Sequence, residues 1–395
     1  MTMRVCMMAY TFYEGDNRVR RYAEALAKRG DSVDAIACRR PGQPFREVIS
    51  GVTVYRIQTR RINEKGKLDY LVKIMLFLLT SFFFLTWRHL LKPYRFIHVH
   101  SVPDFEVFAA VAAKLTGAVV ILDIHDIVPE FYAGKFSGGR ITRLSKALMV
   151  VEKICCGFSD HVIIANHLWE TTLVSRSIKK EKCTVMLNYP DPAIFKSDLP
   201  RHAGATFSIS YPGTLSRHQG LDIAIRALAI VKKESPISFQ FDLYGRGSEE
   251  QSLKDLVLSL GMEKTVLFHG ILPLDIIAGR MAMSDLGIVP KRADDFGNEA
   301  FSTKIFEFMA VKVPVLISST KIDRYYFNDS LVMFFESGNV RECADKILFL
   351  AENPLVRETL INNAQSFIGQ YSWDVKKDEY FALVDYLTSK KGGNP

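Results

Sequence analysis

The chain has 395 residues, of which 48% are hydrophobic and 24% are charged. This composition is ordinary for a globular protein and excludes a low-complexity chain, and the length predicts two or three domains with large cores. The formal net charge of +8 is uneven, because residues 1–100 hold 18 Lys and Arg against 8 Asp and Glu. The first quarter is therefore expected to meet an anionic partner, either nucleic acid or an anionic membrane surface.

The beginning of the chain and its cysteines point to a cellular compartment. Residues Met1–Ala9 lack the sustained apolar stretch and the cleavage site of a signal peptide. The six cysteines are scattered and have no metal-ligand spacing, so we interpret them as free thiols of a reducing compartment. We therefore expect a cytoplasmic protein without a metal site.

Short apolar runs alternate with helical patterns through the first half of the chain. Residues Arg18–Arg29 have helical spacing and end at Gly30, a natural C-terminal stop. Strands alternating with helices predict a parallel sheet with right-handed crossovers. The predicted strands of this half are Arg4–Ala9, Ser32–Ala37, Val52–Ile57, Phe96–His100, Val119–Asp123 and His161–Ala165.

Residues 71–87 are the most unusual apolar segment. The uncharged span between Lys73 and Arg88 is 14 residues, which as a helix covers about 21 Å and falls short of the roughly 30 Å hydrocarbon core of a bilayer. Nine Lys and Arg against two acidic residues in 56–95 make the flanks basic. We predict a helix in contact with a membrane surface, and the alternative is an ordinary core helix between solvated basic loops.

The sequence Asp123-Ile-His125-Asp126 closes one of the predicted strands. A histidine at the carboxyl end of a strand is well placed to face a ligand-binding cleft. The alternative is a structural histidine that Asp123 or Asp126 holds in place.

The strand–helix pattern begins again near residue 206, after a polar stretch at 188–205 that contains three prolines and is typical of a linker. The fold class that follows is α/β, with two doubly wound Rossmann-like domains and an interdomain cleft where ligands bind at the carboxyl ends of the strands. The predicted strands of this half are Phe207–Tyr211, Ser238–Tyr244, Thr265–His269, Leu286–Val289 and Val313–Ile317.

Two glycine-containing turns follow strands of the second half. Gly213 and Thr214 begin a turn that leads into a helix, where a glycine lets a ligand approach the backbone and Arg217 could pair with a phosphate. An ordinary strand–helix turn is the alternative. Gly245-Arg-Gly247 is a weak signal for a nicotinamide cofactor, because the third glycine of that fingerprint is missing.

The segment Glu299-Ala-Phe-Ser-Thr-Lys-Ile-Phe-Glu307 suggests a site for a phosphate-bearing sugar. Ser302 or Thr303 can cap a helix that begins at about Lys304, and the free N–H groups, the helix dipole and the lysine all suit a diphosphate. Glu307, one turn into the helix, can accept two hydrogen bonds from a ribose diol, and Glu299 is free to reach a sugar. The alternative is that acidic residues near a helix start stabilise it without any further function.

Taken together, these motifs resemble the retaining, nucleotide-sugar-dependent glycosyltransferases of family four, which have the two-domain GT-B architecture. The resemblance covers nearly the whole chain. It is strongest over Tyr211–Gly220, Leu243–Gly247, Val266–Gly270, Ser284–Pro290 and Glu299–Val315, with further similarity at Asp16–Val19, His98–His100 and Asp123–Asp126. Departures include Thr214 and Gln219, where the family often has Arg and Lys, and Tyr10–Asn17 in place of a diglycine.

The resemblance implies a domain at 1–190, a nucleotide-sugar-binding domain at 206–372 and a last helix at 373–395 that crosses back to the first domain. It implies transfer of a hexosyl-type sugar with retention, no cofactor and no metal, since Lys304, Arg217 and the helix N-terminus can stabilise the leaving diphosphate. The implied catalytic residues are Glu299, Lys304 and His125, and the implied donor-binding residues are Gly213, Thr214, Arg217, Gly245, Thr303 and Glu307.

The expected partners are a nucleotide sugar, a glycan or lipid-linked acceptor and a membrane surface, with no nucleic acid. The expected location is the inner face of the membrane, as a peripheral protein. Two alternatives remain open. One is a non-catalytic membrane-associated scaffold of the same fold, which Thr214 and Gln219 favour, and the other is a nicotinamide dehydrogenase with an incomplete fingerprint.

Overall fold

The structure is a computed structural model that describes residues 2–60, 67–136, 142–199, 204 and 206–392. The chain divides into two compact units. Unit 1 comprises Met1–Asn188 together with Lys377–Pro395, and unit 2 comprises Tyr189–Lys376. Both are α/β units with a mainly parallel sheet, which confirms the predicted fold class.

Eight described strands form the sheet of unit 1, in the order β3-β4-β2-β1-β5-β6-β7-β8. Apart from the antiparallel β3–β4 pair, all its neighbours are parallel, as expected for strands joined by helices. The direction of strand order reverses between β1 and β5, which is the switch point where such sheets place ligands. The strands are β1 (Arg4–Phe12), β2 (Ser32–Arg39), β3 (Arg46–Ile49), β4 (Val52–Thr59), β5 (Phe96–His100), β6 (Val119–Ile124), β7 (His161–Ile164) and β8 (Cys183–Val185).

The helices of unit 1 follow the sequence signals closely. Asp16 caps the first helix by accepting a hydrogen bond from the Val19 N–H at 3.1 Å, and Gly30 ends it in the left-handed conformation at φ +101°. The helices are α1 (Asn17–Arg29), α2 (Lys67–Leu91), α3 (Val111–Leu115), α4 (Val128–Phe136), α5 (Arg143–Phe158) and α6 (His167–Arg176), and a 3₁₀ segment spans Asp104–Ala110.

Helix α2 has two different faces. One face packs against β4, α3 and the 3₁₀ segment, and its buried side chains are Ile74, Phe77, Ser81, Leu85 and His89. The opposite face exposes Val72, Met75, Leu76, Leu79, Phe83, Trp87 and Leu90. Residues 69–91 are long and apolar enough to cross a membrane, by length and composition only. Only 22% of their most apolar window is buried within the protein, which is less than a core helix would bury. The helix is therefore neither a core helix nor a segment separate from the unit.

Six described strands form the sheet of unit 2, in the order β11-β10-β9-β12-β13-β14, and every neighbouring pair is parallel. In chain order within the unit this is 3-2-1-4-5-6, the order of a dinucleotide-binding Rossmann sheet, with its switch point between β9 and β12. The strands are β9 (Phe207–Pro212), β10 (Phe239–Tyr244), β11 (Val266–Gly270), β12 (Leu286–Val289), β13 (Val315–Ser319) and β14 (Met333–Glu336).

The strands of unit 2 are connected and followed by helices, and the chain ends in a long helix. A close contact fixes α10 to β12, because a Cβ on Gly287 would lie 2.6 Å from the ring of Phe308. The last helix, α14, begins in unit 2 and belongs to unit 1 from Lys377 onward. The helices are α7 (Leu221–Glu234), α8 (Glu250–Ser259), α9 (Leu274–Ala282), α10 (Thr303–Ala310), α11 (Lys321–Tyr326), α12 (Val340–Glu352), α13 (Pro354–Ile368) and α14 (Trp373–Gly392).

Candidate functional site

The N-terminus of α10 is open at the carboxyl end of the unit 2 sheet. The helix begins at Thr303, and the side chain of its N-cap residue, Ser302, makes no capping hydrogen bond. Although Ser302 is buried, its hydroxyl has no hydrogen-bond partner among the described residues. An uncapped helix start with a free buried hydroxyl leaves several donors for an anion.

Lys304 lies beside this helix start, and its position depends on a glycine. Gly213 follows β9 with φ +142°, and a Cβ there would lie 2.2 Å from Lys304 Cε. The ammonium stands 5.2 Å from the centre of the Tyr211 ring. In the described part of the chain no carboxylate forms an ion pair with it. Burial, with help from the nearby Lys291, lowers the pKa of Lys304 to about 8 despite the opposing effect of Glu307.

Glycines directly after β9 and β10, together with the last residue of β11, connect three strand ends by hydrogen bonds. The Gly213 N–H donates to the Tyr244 carbonyl at 2.7 Å, and the Gly245 N–H donates to the Gly270 carbonyl at 2.7 Å. A Cβ on Gly245 would lie 1.9 Å from the Gly213 carbonyl oxygen. This close packing accounts for Gly245 without any dinucleotide, so the weak nicotinamide signal has a purely structural explanation.

The two predicted glutamates occupy different surroundings. Glu307 is half-buried on α10, one turn after the open helix start. Glu299 lies in the loop before the helix, where its Oε1 is 2.7 Å from the Nζ of Lys321 on α11. Glu299 therefore already has a cationic partner, which the sequence did not predict because Lys321 lies 22 residues further on.

The structure places the remaining predicted donor residues around the loop after β9. Thr214 is exposed, and its carbonyl accepts a hydrogen bond from the Tyr211 hydroxyl at 3.1 Å. Arg217 lines a cavity of about 350 Å³ with Arg226 and Arg292, between the first turns of α7 and α8. Neither Lys304 nor Glu307 is among the residues that line that cavity.

A buried ion pair lies behind the Glu299 loop. Lys291, directly after β12 and Pro290, is only 2% exposed, and its Nζ is 3.0 Å from Asp323 Oδ2. The same ammonium donates to the Ala300 carbonyl at 2.7 Å. Sequence reasoning missed this pair, and a lysine that directly follows a buried strand was the signal that could have found it.

In unit 1 a second buried charge cluster surrounds Asp123 at the end of β6. Arg18 donates to both carboxylate oxygens at 2.7 Å, and His100 Nδ1 lies 3.1 Å from Oδ2. Burial raises the pKa of Asp123, but Arg18 and the histidines outweigh it and hold that pKa well below its usual range. Burial lowers the pKa values of His98 and His100, which favours the neutral form of both rings.

His125 lies beside Asp123, as expected for a histidine that this carboxylate holds in place, and its side chain is still partly accessible. Its Nε2 is 3.4 Å from Asp123 Oδ2, and its side chain is 21% exposed. His98, His100 and Asp123 bring possible metal-ligand atoms within 4.8 Å of one another. However, both oxygens of Asp123 are engaged by the Arg18 guanidinium, whose positive charge disfavours a metal cation at the same carboxylate.

Comparisons with known proteins cover both units. Residues 15–188 match the family of glycosyl transferase 4-like domains, and residues 200–367 match the family of group 1 glycosyl transferases. An uncharacterized glycosyltransferase of Methanocaldococcus jannaschii is 25% identical over 71% of this chain and 82% of its own length. An uncharacterized glycosyltransferase of Haemophilus influenzae is 24% identical over 84% of this chain and 85% of its own length.

Solved structures of similar shape share the fold. Sucrose-phosphate synthase of Thermosynechococcus elongatus superposes with a TM-score of 0.80 at 16% identity, covering 98% of this chain and 100% of its own. The HepE protein of Anabaena, solved with UDP and glucose, gives 0.70 at 17% identity, covering 97% and 100%. The two family matches together span both units, and the solved structures share the two-domain fold, so the chain belongs to the family-four glycosyltransferases of GT-B architecture.

Proposed function

We propose that this glycosyltransferase moves a hexosyl-type sugar, with retention of its anomeric configuration, from a nucleoside diphosphate to a glycan or lipid-linked acceptor. The observation that carries the proposal is the open start of α10, beside which the Lys304 ammonium has no ion-pair partner and the Ser302 hydroxyl no hydrogen-bond partner within the described residues. Among proteins of similar fold, the Anabaena HepE structures contain UDP and UDP-glucose. A putative colanic acid biosynthesis glycosyltransferase of Escherichia coli, 26% identical over 40% of this chain and 39% of its own, suggests a polysaccharide precursor as acceptor.

The chemistry required of this site is stabilisation of a leaving diphosphate. Negative charge builds on the phosphate oxygen as the glycosidic bond breaks, and Lys304 and the α10 amides are suitable donors for it. Preorganised donors of this kind are each worth about 3–4 kcal/mol in the transition state. The departing phosphate can then take the proton of the acceptor hydroxyl.

The remaining roles follow from chemistry and position. Glu307 would accept hydrogen bonds from the ribose diol, and Glu299 would orient the donor sugar. Thr303 and Gly213 would offer backbone N–H groups or close approach to the diphosphate. In unit 1, His125 keeps an exposed edge and would contact the sugar or the acceptor.

The proposal is tested by hydrolysis and transfer assays with a panel of UDP-, GDP-, ADP- and dTDP-sugars. We expect turnover with at least one donor, and Lys304→Ala should lower kcat by about 100- to 1,000-fold because the main charge on the leaving group is lost. Circular dichroism and the thermal midpoint serve as the folding control. Nucleotide binding without turnover on any acceptor or water would support the scaffold alternative, and near-normal turnover by folded Lys304→Ala would remove the assignment of this lysine.

The two glutamates should differ in what they control. Glu307→Ala is expected to raise the Kd of the donor nucleotide about tenfold or more, since charge-assisted hydrogen bonds to ribose are lost. Glu299→Ala is expected to lower kcat with little change in that Kd. Calorimetric titration with the nucleoside diphosphate and steady-state kinetics measure both, with exposed Glu358→Ala as the control. Equal losses of nucleotide affinity in the two variants would contradict this division.

The lowered pKa of Lys304 predicts a pH dependence of binding. The ammonium is protonated below its pKa of about 8 and loses its charge as the pH rises through that value. The affinity for a nucleoside diphosphate should therefore fall above pH 8, approaching about tenfold per pH unit if the uncharged form does not bind. Lys304→Arg, which stays charged, should bind with a flat profile over the same range. A wild-type profile as flat as that of the arginine variant would contradict a role for the ammonium in binding.

We further propose that the exposed face of α2 lies in the interface of an anionic membrane, so that the enzyme is peripheral on the cytoplasmic leaflet. Leu79, Phe83 and Trp87 follow one another at spacings of four and are 53%, 67% and 55% exposed. A helix with one face packed on its domain and the other apolar is the arrangement of a monotopic contact. The excess of Lys and Arg in residues 56–95 is expected to add attraction. Two of these residues already have acidic partners, because Arg56 pairs with Glu14 and Glu47, and Arg88 pairs with Asp34.

Vesicle sedimentation tests the membrane contact. The wild type should bind vesicles of phosphatidylglycerol and phosphatidylcholine, more strongly with more anionic lipid and less strongly with added salt, since each nearby Lys or Arg contributes about 1 kcal/mol. The triple variant L79S/F83S/W87S should stay in the supernatant. The variant leaves Phe82 and Phe84 unchanged because both are partly buried, and Phe84 packs against Tyr55 of unit 1.

The matched control is the triple variant L258S/I276S/L355S, which removes three exposed apolar side chains of unit 2. It should sediment with vesicles as the wild type does. If the wild type does not bind anionic vesicles at low salt, the membrane proposal is wrong. If the α2 variant instead dissociates a dimer in analytical ultracentrifugation, the face contacts a second copy of the chain.

A further inference from the structure

The loop that carries Glu299 is attached to the first turn of α11 at three consecutive residues, two of them directly and the third through the side chain of Lys291. The backbone N–H of Lys321 donates to Asn298 Oδ1 at 2.7 Å, and that of Ile322 donates to the Asn298 carbonyl at 3.0 Å. The Lys321 ammonium reaches Glu299 Oε1 at 2.7 Å. The carbonyl of Ala300, the third residue, accepts from the buried Lys291.

The third of these attachments is made by an ion pair that is completely enclosed. The side chains of Lys291 and Asp323 are 2% and 0% exposed. Asp323 also takes a hydrogen bond from the hydroxyl of Thr320, the N-cap residue of α11, while its Oδ1 has no partner among the described residues. The pair thus joins the end of β12, the start of α11 and the residue after Glu299.

A pair buried in this way requires an explanation other than stability. Removing two charges from water costs about as much as their attraction returns, so apolar replacement of a buried ion pair is often neutral or stabilising. What an ion pair with one extra hydrogen bond does provide is a defined position for the groups that it joins. Here the joined group is the backbone directly after Glu299.

We propose that Lys291 and Asp323 are positioning residues that set the placement of Glu299 for the donor sugar. This inference rests on the proposed function, in which Glu299 contacts the sugar. The pair acts through the Ala300 carbonyl and does not itself touch the substrate. Lys321 completes the arrangement from the solvent side, because the same helix turn holds the Glu299 carboxylate.

The test replaces both charges at once, in the variant K291M/D323L, so that no unpaired charge remains buried. We expect the thermal midpoint and the Kd for UDP or the preferred nucleoside diphosphate to stay close to the wild-type values. The kcat for sugar transfer should fall roughly tenfold to a hundredfold, the loss expected from a misplaced orienting group. The surface-pair variant E250Q/K254Q on α8 is the matched control and should keep the wild-type kcat.

A double-mutant cycle with Glu299→Ala separates positioning from a merely structural role. If the pair acts through Glu299, adding Glu299→Ala to K291M/D323L should cause little further loss of kcat. Additive losses, or a wild-type kcat in folded K291M/D323L, would overturn the inference while leaving the proposed function intact. Absence of turnover by the wild-type enzyme with every nucleotide sugar would overturn both.

A second variant keeps the test decisive if K291M/D323L does not fold. Lys291→Arg retains the charge and its partner but cannot place a single ammonium between Asp323 and the Ala300 carbonyl. It should fold, bind the nucleoside diphosphate normally and show a reduced kcat that is again non-additive with Glu299→Ala. A wild-type kcat in this variant would count against the positioning role.

Discussion

The candidate site at the start of α10 depends on the absence of a side chain at residue 213. Lys304 Cε occupies the space where a Cβ on that residue would lie. The N–H of the same glycine donates a hydrogen bond to the Tyr244 carbonyl. The absence of a side chain thus lets two things happen at one point. The end of β9 closes against the end of β10, and the side chain of Lys304, from the helix that follows β12, lies against Gly213. Without that space, the ammonium could not lie at the open start of α10 above the Tyr211 ring.

Local signals in the sequence were sufficient for the fold class and for the approximate start of α10. The alternation of strand and helix and the end of α1 at the left-handed Gly30 were predicted, because each depends on neighbours within a few residues. The same holds for the start of α10 near Lys304. The short strands β3, β8 and β14 were not predicted, since three or four residues at or near a sheet edge carry little periodic signal.

Contacts between distant residues were beyond local reasoning. Arg18 and Asp123 are 105 residues apart, and nothing in the sequence near either residue indicates the other. The contact of Glu299 with Lys321 on α11 and the buried Lys291–Asp323 pair likewise join residues that are far apart in the sequence. The two faces of α2 were also undecidable from sequence, because its uncharged stretch is apolar on every side and only packing shows which face is covered. Long-range electrostatics therefore had to come from the structure.

The two lysines at the carboxyl end of the unit 2 sheet differ in whether a carboxylate of the protein balances their charge. Lys291 is enclosed and paired with Asp323, so its charge is already balanced and it can hold a loop in place. Lys304 is half-buried and has no carboxylate partner in the described chain, and burial lowers its pKa to about 8. Such an unbalanced charge is costly in the empty protein. In the proposed function, a diphosphate bound at the open helix start would balance it, and relief of that cost would contribute to the binding energy. Lys291, whose charge the protein itself balances, is therefore expected to have a structural role, and Lys304, whose charge is left for a ligand to balance, is expected to bind that ligand.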